Sequence, residues 1–162
     1  MRALVTRVRG QTQYHVSNRR DEFEGPGLVV LLGWMQSDAT QPLDDLSASE
    51  SWLLDKVLGL RIFPDSSERM NLSLLDYLQH QRTRGGVLWV SQFTLAAELE
   101  SGFRPSFSKA LRPDLARKRF ELFCQAAQKL RRPEVSMIFG DFGEDMSLRY
   151  TNWGPLSVLL ER

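Results

Sequence analysis

The stretch Val87-Leu88-Trp89-Val90-Ser91-Gln92-Phe93-Thr94-Leu95 begins as an apolar run that directly follows two glycines. A short apolar run bounded in this way is typical of a buried β-strand. The stretch becomes polar at Ser91, Gln92 and Thr94, at the C-terminal end of the strand, where sheets commonly expose binding groups. We therefore expect a buried strand that ends in a candidate site.

The segments around this strand consist mainly of further short strands. Residues 28–32 are apolar on both faces, which predicts a second central strand. Helical spacing appears at residues 42–59 and in a segment that begins at Pro113 and ends before Pro133, whereas residues 76–86 form a polar connection. The remaining strand candidates are residues 2–8, 11–17, 60–63, 135–139, 146–150 and 156–160.

Most of these strands are not joined through helices, so a repeating strand–helix–strand pattern is not expected. The pattern predicts an α+β fold, in which two α-helices pack against a mainly antiparallel, barrel-like sheet. Residues 1–162 are expected to form a single domain, because that length is ordinary for one hydrophobic core.

The composition limits which cellular compartment and which binding partners are expected. The formal net charge is +1, which gives no overall electrostatic reason for nucleic-acid binding. The single cysteine, Cys124, excludes an internal disulfide and fits a reducing compartment. No signal peptide or membrane-length apolar run is present, so we expect a cytoplasmic protein that does not enter a membrane.

The side chains supply no obvious catalytic apparatus. His15 and His80 are the two neutral-pH bases, and neither lies near a serine or aspartate in a recognisable arrangement. No zinc-ligand spacing and no glycine-rich phosphate loop occurs, so neither a metal nor a cofactor is expected. From periodicity alone, Ser91 and Thr94 are ordinary strand-end hydroxyls. Any chemistry would have to come from backbone groups, hydroxyls or the substrate itself.

An ordered set of motifs spans the chain and resembles the D-aminoacyl-tRNA deacylase family, also called D-Tyr-tRNA deacylases. The motifs are Arg2-Ala3-Leu4-Val5-Thr6-Arg7-Val8, Gly25-Pro26-Gly27-Leu28-Val29-Val30-Leu31-Leu32-Gly33, Leu60-Arg61-Ile62-Phe63, Met70-Asn71-Leu72-Ser73-Leu74, Ser91-Gln92-Phe93-Thr94-Leu95, Arg104-Pro105-Ser106-Phe107, Phe142-Gly143-Glu144-Asp145-Met146 and Asn152-Trp153-Gly154-Pro155. No single motif is decisive, whereas the set in this order is specific.

The resemblance implies a homodimer that cleaves the ester between a D-amino acid and the 3′-terminal adenosine of tRNA. It implies that Gly154-Pro155 is a cis pair inserted into the pocket of the partner subunit, where its carbonyls meet the α-ammonium group of the substrate. An L side chain would be rejected there, whereas glycine would be admitted, so glycyl-tRNA mischarged on tRNA-Ala is an expected second substrate. Arg7 would hold the Gly154-Pro155 segment in place.

The same resemblance assigns Ser91, Gln92, Phe93 and Thr94 to the catalytic stretch. Catalysis would come from a ribose hydroxyl of the tRNA and from main-chain amides near Phe93 and Thr94, which stabilise an oxyanion without a titrating group. Thr94 would have a positioning role. Phe93, Phe142 and Met146 would pack the terminal adenine, although for Phe142 and Met146 core packing is an equal alternative.

Departures from the family pattern keep two alternatives open. Trp153 stands where a small or acidic residue is typical, and Leu156-Ser157 follows Gly154-Pro155 in place of Val-Thr. One alternative is therefore an enzyme with relaxed chirality that removes a mischarged L-amino acid. The other is a non-catalytic nucleic-acid-binding dimer, suggested by the basic helix end at residues 129–132.

Overall fold

The chain folds into a curved sheet with helices packed against it, in a computed structural model that describes residues 1–100 and 102–162. Within these residues the strands are β1 (Arg2–Val16), β2 (Arg19–Phe23), β3 (Gly27–Gly33), β4 (Phe63–Pro64), β5 (Met70–Leu72), β6 (Gly85–Ser91), β7 (Val135–Phe139) and β8 (Ser147–Glu161). The helices are α1 (Ala48–Gly59), α2 (Leu74–Gln81) and α3 (Pro113–Lys129).

Strand β1 is the centre of the sheet. It pairs antiparallel with β3 through its first half, with β2 through its second half, and with β8 along most of its length. Strands β3, β6 and β7 are parallel neighbours, because helical crossovers connect them. The predicted α+β class is confirmed, and the barrel-like sheet is mixed rather than purely antiparallel.

The described residues form three α-helices, whereas the sequence predicted two. Helix α2 occupies most of the segment that was expected to be a polar connection. It begins with a capping box between Ser73 and Asp76, and it buries Leu74 and Leu78. A second capping box, between Ser47 and Glu50, makes α1 begin at Ala48 instead of at residue 42.

Two predicted pairs of strands are single long strands. Residues 2–8 and 11–17 fall in β1, and residues 146–150 and 156–160 fall mostly in β8. Proline cannot donate a hydrogen bond to a strand ladder, so Pro155 does not fit regular pairing. The register runs from Thr6 opposite Ser157 to Val8 opposite Asn152, so residues 153–156 bulge out of the ladder. Of residues 60–63, only Phe63 is in a strand.

The sheet is covered by hydrophobic residues on both faces. In β6, Val87 and Trp89 belong to a large cluster shared with the helices, while Leu88 and Val90 belong to a smaller cluster, which is the alternation expected of a strand. The edges of the sheet approach each other where β2 contacts β7. Within the described residues, no helix is both long and apolar enough to cross a membrane.

Candidate functional site

The C-terminal end of β6 turns sharply into a single 3₁₀ turn, Phe93–Ala96. The amide of Gln92 still bonds the carbonyl oxygen of Leu32 on β3 at 2.6 Å, and the amide of Leu95 closes the turn on the carbonyl oxygen of Gln92 at 3.2 Å. Gly33 permits this close approach, because a Cβ at residue 33 would lie 2.9 Å from the Cβ of Leu95. The turn is therefore held against β3 by its backbone.

The amides of Phe93 and Thr94 open this turn, where helical amides lack a partner from the turn itself. Among residues 1–100 and 102–162 neither amide has a hydrogen-bond acceptor. Phe93 is 58% exposed, and Thr94 is exposed as well. The side-chain amide of Gln92 donates to Oγ1 of Thr94 at 2.6 Å. The Thr94 hydroxyl thus positions Gln92, while the two main-chain donors belong to exposed residues.

An apolar cavity of about 540 Å³ adjoins these amides. Its lining includes Ser91, Gln92, Phe93 and Phe142, so four of the predicted site residues meet here, with Thr94 next to them in the chain. The rings of Phe93 and Phe107 pack edge to face, with centroids 4.9 Å apart. This cavity wall is suited to a flat apolar group, and Phe107 was not among the predicted site residues.

Phe142 also lines the cavity, and it directly follows Asp141, whose contacts with Tyr14 and Arg19 form the seam of the barrel. The guanidinium carbon of Arg117 lies 4.9 Å from the centre of the Phe142 ring. The preceding residue, Asp141, accepts from the hydroxyl of Tyr14 at 2.9 Å and forms an ion pair with Arg19 at 3.1 Å. Phe142 is therefore held between α3 and the seam.

A buried polar network supports the third wall, which sequence reasoning missed. Nε1 of Trp34, which lines the cavity, donates to Glu50 at 2.7 Å. Arg119 pairs with the same carboxylate at 3.2 Å, and both charged side chains are nearly inaccessible to solvent. A buried pair of this kind fixes geometry more than it adds stability. The Ser47–Glu50 capping box was the only sequence signal for it.

The second group of predicted residues surrounds the β8 bulge opposite Arg7. Arg7 is only 8% exposed. Its Nε donates to the carbonyl oxygen of Trp153 at 2.9 Å, and Nη1 donates to the carbonyl oxygen of Ile62. Burial lowers the pKa of this guanidinium from its ordinary value. The contact that the resemblance implies between Arg7 and the bulge is present.

Gly154 and Pro155 form the exposed tip of the bulge, and the peptide bond between them is cis. Gly154 has φ +138°, a conformation that L residues rarely adopt. A Cβ at residue 154 would lie 3.0 Å from the amide nitrogen of Leu156 and 3.1 Å from Nη2 of Arg7. The Leu156 amide donates to Oδ1 of Asn152 at 2.9 Å, across the base of the tip.

The structure does not bring the tip and the cavity together within one chain. Ala3 pairs with Leu32, beside the cavity, whereas Arg7 faces the tip. Four residues of β-strand separate the two places by roughly 13 Å. Met146 is also not part of the cavity lining and packs against the smaller hydrophobic cluster. Its predicted contact with substrate stays a prediction.

The titratable residues considered from the sequence lie outside the cavity lining. The His15 ring contacts the side chain of Gln13 at 3.3 Å, and His80 is exposed on α2. Burial raises the pKa of the Cys124 thiol to about 12, so the thiolate is scarce at neutral pH. Within residues 1–100 and 102–162 no group of three potential metal-ligating side chains occurs.

Comparison with known proteins decides the family. A model described as D-Tyr-tRNA(Tyr) deacylase matches residues 5–161. The chain belongs to the D-Tyr-tRNA(Tyr) deacylase family. It is 44% identical over 135 residues to a D-aminoacyl-tRNA deacylase from Teredinibacter turnerae, which covers 83% of this chain and 82% of that protein. A D-aminoacyl-tRNA deacylase from Pseudomonas fluorescens is 40% identical over 99% of both chains.

A solved structure shares the fold of this protein over the whole chain. A structure described as c-Myc DNA Unwinding Element Binding Protein aligns with a TM-score of 0.79 and 29% identity, over 100% of this chain and 99% of that one. The family resemblance and the fold class predicted from the motifs are confirmed. The roles of individual site residues stay predictions.

Proposed function

We propose that this protein hydrolyses D-aminoacyl-tRNA to a free D-amino acid and tRNA, as a chiral proofreading step in translation. The observation that carries the proposal is the pair of amides at Phe93 and Thr94 without a hydrogen-bond acceptor among the described residues, in a turn beside an apolar cavity that Phe93 lines. Family membership supports the reaction class. The expected site of action is the cytoplasm, where aminoacyl-tRNA is used.

The reaction needs a group that stabilises negative charge more than it needs a side-chain nucleophile. Water adds to the ester carbonyl, and the resulting oxyanion accepts hydrogen bonds from the amides of Phe93 and Thr94. The bond from the carbonyl carbon to the 3′ oxygen of the ribose then breaks. That oxygen takes a proton and leaves with the tRNA. The neighbouring ribose hydroxyl is well placed to carry the proton from the attacking water.

The aromatic walls of the cavity fit the terminal adenosine of tRNA. Unpaired bases are bound by stacking on aromatic rings and by apolar contact. Phe93 with Phe107 offers one such surface, and Phe142 backed by Arg117 offers another. Met146 would reach the base only after a local rearrangement, because it packs against the smaller cluster. This arrangement leaves the ester near the turn at residues 93–96.

The tip would complete the site from a second copy of the chain. Gly154 and Pro155 are exposed in the single chain and lie roughly 13 Å along β1 from their own cavity. Strand β8 pairs on one side with β1, and it exposes Leu159; long exposed edges are commonly covered by another chain. In a homodimer the Gly154-Pro155 tip would enter the partner's cavity and exclude L side chains.

Deacylation of matched substrates tests the proposal. Purified protein is expected to release D-Tyr from D-Tyr-tRNA at least about a hundredfold faster than L-Tyr from L-Tyr-tRNA, a difference of about 2.7 kcal/mol in transition-state binding. Equal rates would exclude chiral proofreading, and rapid turnover of an L-amino acid with D-substrates spared would support the relaxed enzyme instead. Gly-tRNA-Ala in the same assay measures whether glycine is admitted.

A nucleic-acid-binding dimer without catalysis is the second candidate. The name of one similar structure refers to DNA binding, and α3 ends near Lys129, Arg131 and Arg132. Binding of uncharged tRNA that weakens steeply with salt, together with no ester cleavage, would favour this function. Cleavage of D-Tyr-tRNA with weak binding of other nucleic acids would favour the deacylase.

A further inference from the structure

Trp153 directly precedes the tip and contacts other elements of the same chain. Its ring packs edge to face on Phe63, with centroids 6.1 Å apart, and on Tyr77, with centroids 5.8 Å apart. Phe63 and Tyr77 also contact each other at 5.4 Å. The three rings form an aromatic cluster that joins β8 to β4 and α2.

The same tryptophan contacts Arg7 in two ways. Its carbonyl oxygen accepts a hydrogen bond from Nε of Arg7, and its ring lies under the guanidinium with 4.6 Å between the guanidinium carbon and the ring centre. A guanidinium stacked on an indole is among the strongest cation–π arrangements, and desolvation increases its strength. Arg7 is nearly buried, so its position depends on the Trp153 ring as well as on the two carbonyls.

Arg7 in turn borders the tip. A Cβ added to Gly154 would meet Nη2 of Arg7 at 3.1 Å, so the guanidinium lies directly behind this glycine. Displacement of Arg7 would therefore remove the support on one side of Gly154. The other support is the hydrogen bond from the Leu156 amide to Asn152.

We propose that Trp153 is a positioning residue that fixes the Gly154-Pro155 tip by clamping Arg7 against the aromatic cluster of Phe63 and Tyr77. Its side chain acts through Arg7 and touches no substrate. The consequence for chirality rests on the proposed deacylase function, whereas the anchoring itself does not. A tryptophan that only filled space would be replaceable by any apolar side chain of similar size.

Hydrogen exchange at the Leu156 amide tests the anchoring without an activity assay. In Trp153→Leu, which keeps apolar bulk but lacks a π face, exchange at this amide is expected to accelerate about tenfold, the effect of losing a partly buried cation–π contact. Trp153→Phe should stay within about threefold of wild type, because a ring face remains. Equal protection in all three proteins would overturn the proposal.

Two further variants keep the test specific. Trp52→Leu is the matched control, because Arg162 also stacks on Trp52, at 5.2 Å, and Trp52 lies on α1 away from the tip. It should leave Leu156 exchange unchanged. Tyr77→Leu alters the cluster from α2 and should accelerate exchange at the same amide without changing β8. Acceleration at Leu156 in Trp52→Leu, or none in Tyr77→Leu, would contradict a specific anchor.

Deacylation by the same proteins separates the anchor from the enzyme's function. If the tip selects the D-isomer, Trp153→Leu should lower the ratio of D-Tyr-tRNA to L-Tyr-tRNA cleavage about tenfold, and Trp153→Phe should restore it. Faster exchange with an unchanged ratio would support the anchoring role of Trp153 and refute the chiral role of the tip. Unchanged exchange would refute the anchor whatever the activity.

Discussion

The turn at the end of β6 and the tip of β8 are two halves of one proposed site, and they are constructed in opposite ways. The turn has two main-chain donors without an acceptor among the described residues, and the side chains of Gln92 and Thr94 hold each other in place. The tip presents backbone as well, but it is fixed from behind by a nearly buried arginine with two carbonyl acceptors and an aromatic ring.

This difference shows where sequence change can be tolerated. At the turn, the backbone path must persist, because the proposed donors are amides. At the tip, the side chains behind Gly154 decide its position, so each contact of Arg7 matters. Each half can therefore be altered by a substitution that leaves the other half intact.

The largest expected effect comes from removing one amide of the turn. Phe93→Pro and Phe93→Ala both lose the ring, but only proline also loses the N–H. Proline fits the first position of a turn, and Gln92 before it has φ −142° and ψ 88°, outside the α region that a following proline disfavours. We expect kcat of Phe93→Pro to lie about 10²- to 10³-fold below that of Phe93→Ala, the usual cost of an oxyanion donor. Single-turnover deacylation of D-Tyr-tRNA measures the ratio.

Equal rates in these two variants would remove the Phe93 amide from the chemistry. Thr94→Ala provides the complementary measurement, because it keeps the amide and deletes the hydroxyl that accepts from Gln92. Loss of one neutral hydrogen bond should lower the rate by roughly tenfold at most. A complete loss of activity would make the hydroxyl itself the working group.

An intermediate effect is expected at the tip. In Gly154→Ala the added methyl carbon would lie 3.0 Å from the amide nitrogen of Leu156 and 3.1 Å from Nη2 of Arg7, in a backbone conformation that L residues rarely adopt. This strain should cost about 1–3 kcal/mol. We expect deacylation to fall about 10- to 100-fold while the dimer stays folded at the assay temperature. Gly59→Ala is the control, because no atom lies within 4 Å of its added Cβ.

Mixing the two kinds of variant tests whether both halves come from one chain. A heterodimer of Phe93→Pro and Gly154→Ala chains has one site in which an unaltered turn meets an unaltered tip, provided that the tip crosses to the partner. Co-expressed chains should then recover up to about half of wild-type activity per dimer, whereas each homodimer stays impaired. No recovery would place the turn and the tip of one site in the same chain.

The smallest effect on activity is expected at Cys124. If its thiol took part in the reaction, the chemistry could not be assigned to backbone groups alone. Cys124→Ala should keep deacylation within about twofold, since the raised pKa leaves little thiolate. The thiol of the unfolded chain has a pKa of about 8.5. Above that pH the unfolded chain therefore binds fewer protons than the folded chain, and the free energy of unfolding falls. Denaturant unfolding between about pH 8 and 11 should show a shallower decline in Cys124→Ala.

Much of this organisation was predictable from the sequence, and the failures have physical causes. The glycine-bounded apolar run located β6 and the turn, and a charged residue on a strand face marked Arg7. Helix α2 was missed because its polar residues resemble a loop, although Ser73 followed by Asp76 is a capping signal. The continuity of β8 was hidden by Pro155, which is tolerated because it lies in a bulge that needs no ladder hydrogen bond.

The arrangement of the site was harder to predict than its members. Phe142 reaches the cavity because the barrel seam at Asp141 and Tyr14 fixes the preceding residue, a contact between positions far apart in the chain. The aromatic cluster around Trp153 likewise joins residues from three elements. Periodicity predicts which face of its own helix or strand a residue occupies. It does not predict which residues far apart in the sequence come into contact.

The turn, the tip and Arg7 are also synthesised at different times on the ribosome. The strand that bears the tip is synthesised after the other seven strands described above, whereas β1, which contains Arg7, is synthesised before them. Trp153 can therefore cover Arg7 only after all of the elements between β1 and β8 have been synthesised, and contacts of such long sequence separation form slowly. A nascent chain that already contains the turn at residues 93–96 still lacks the tip.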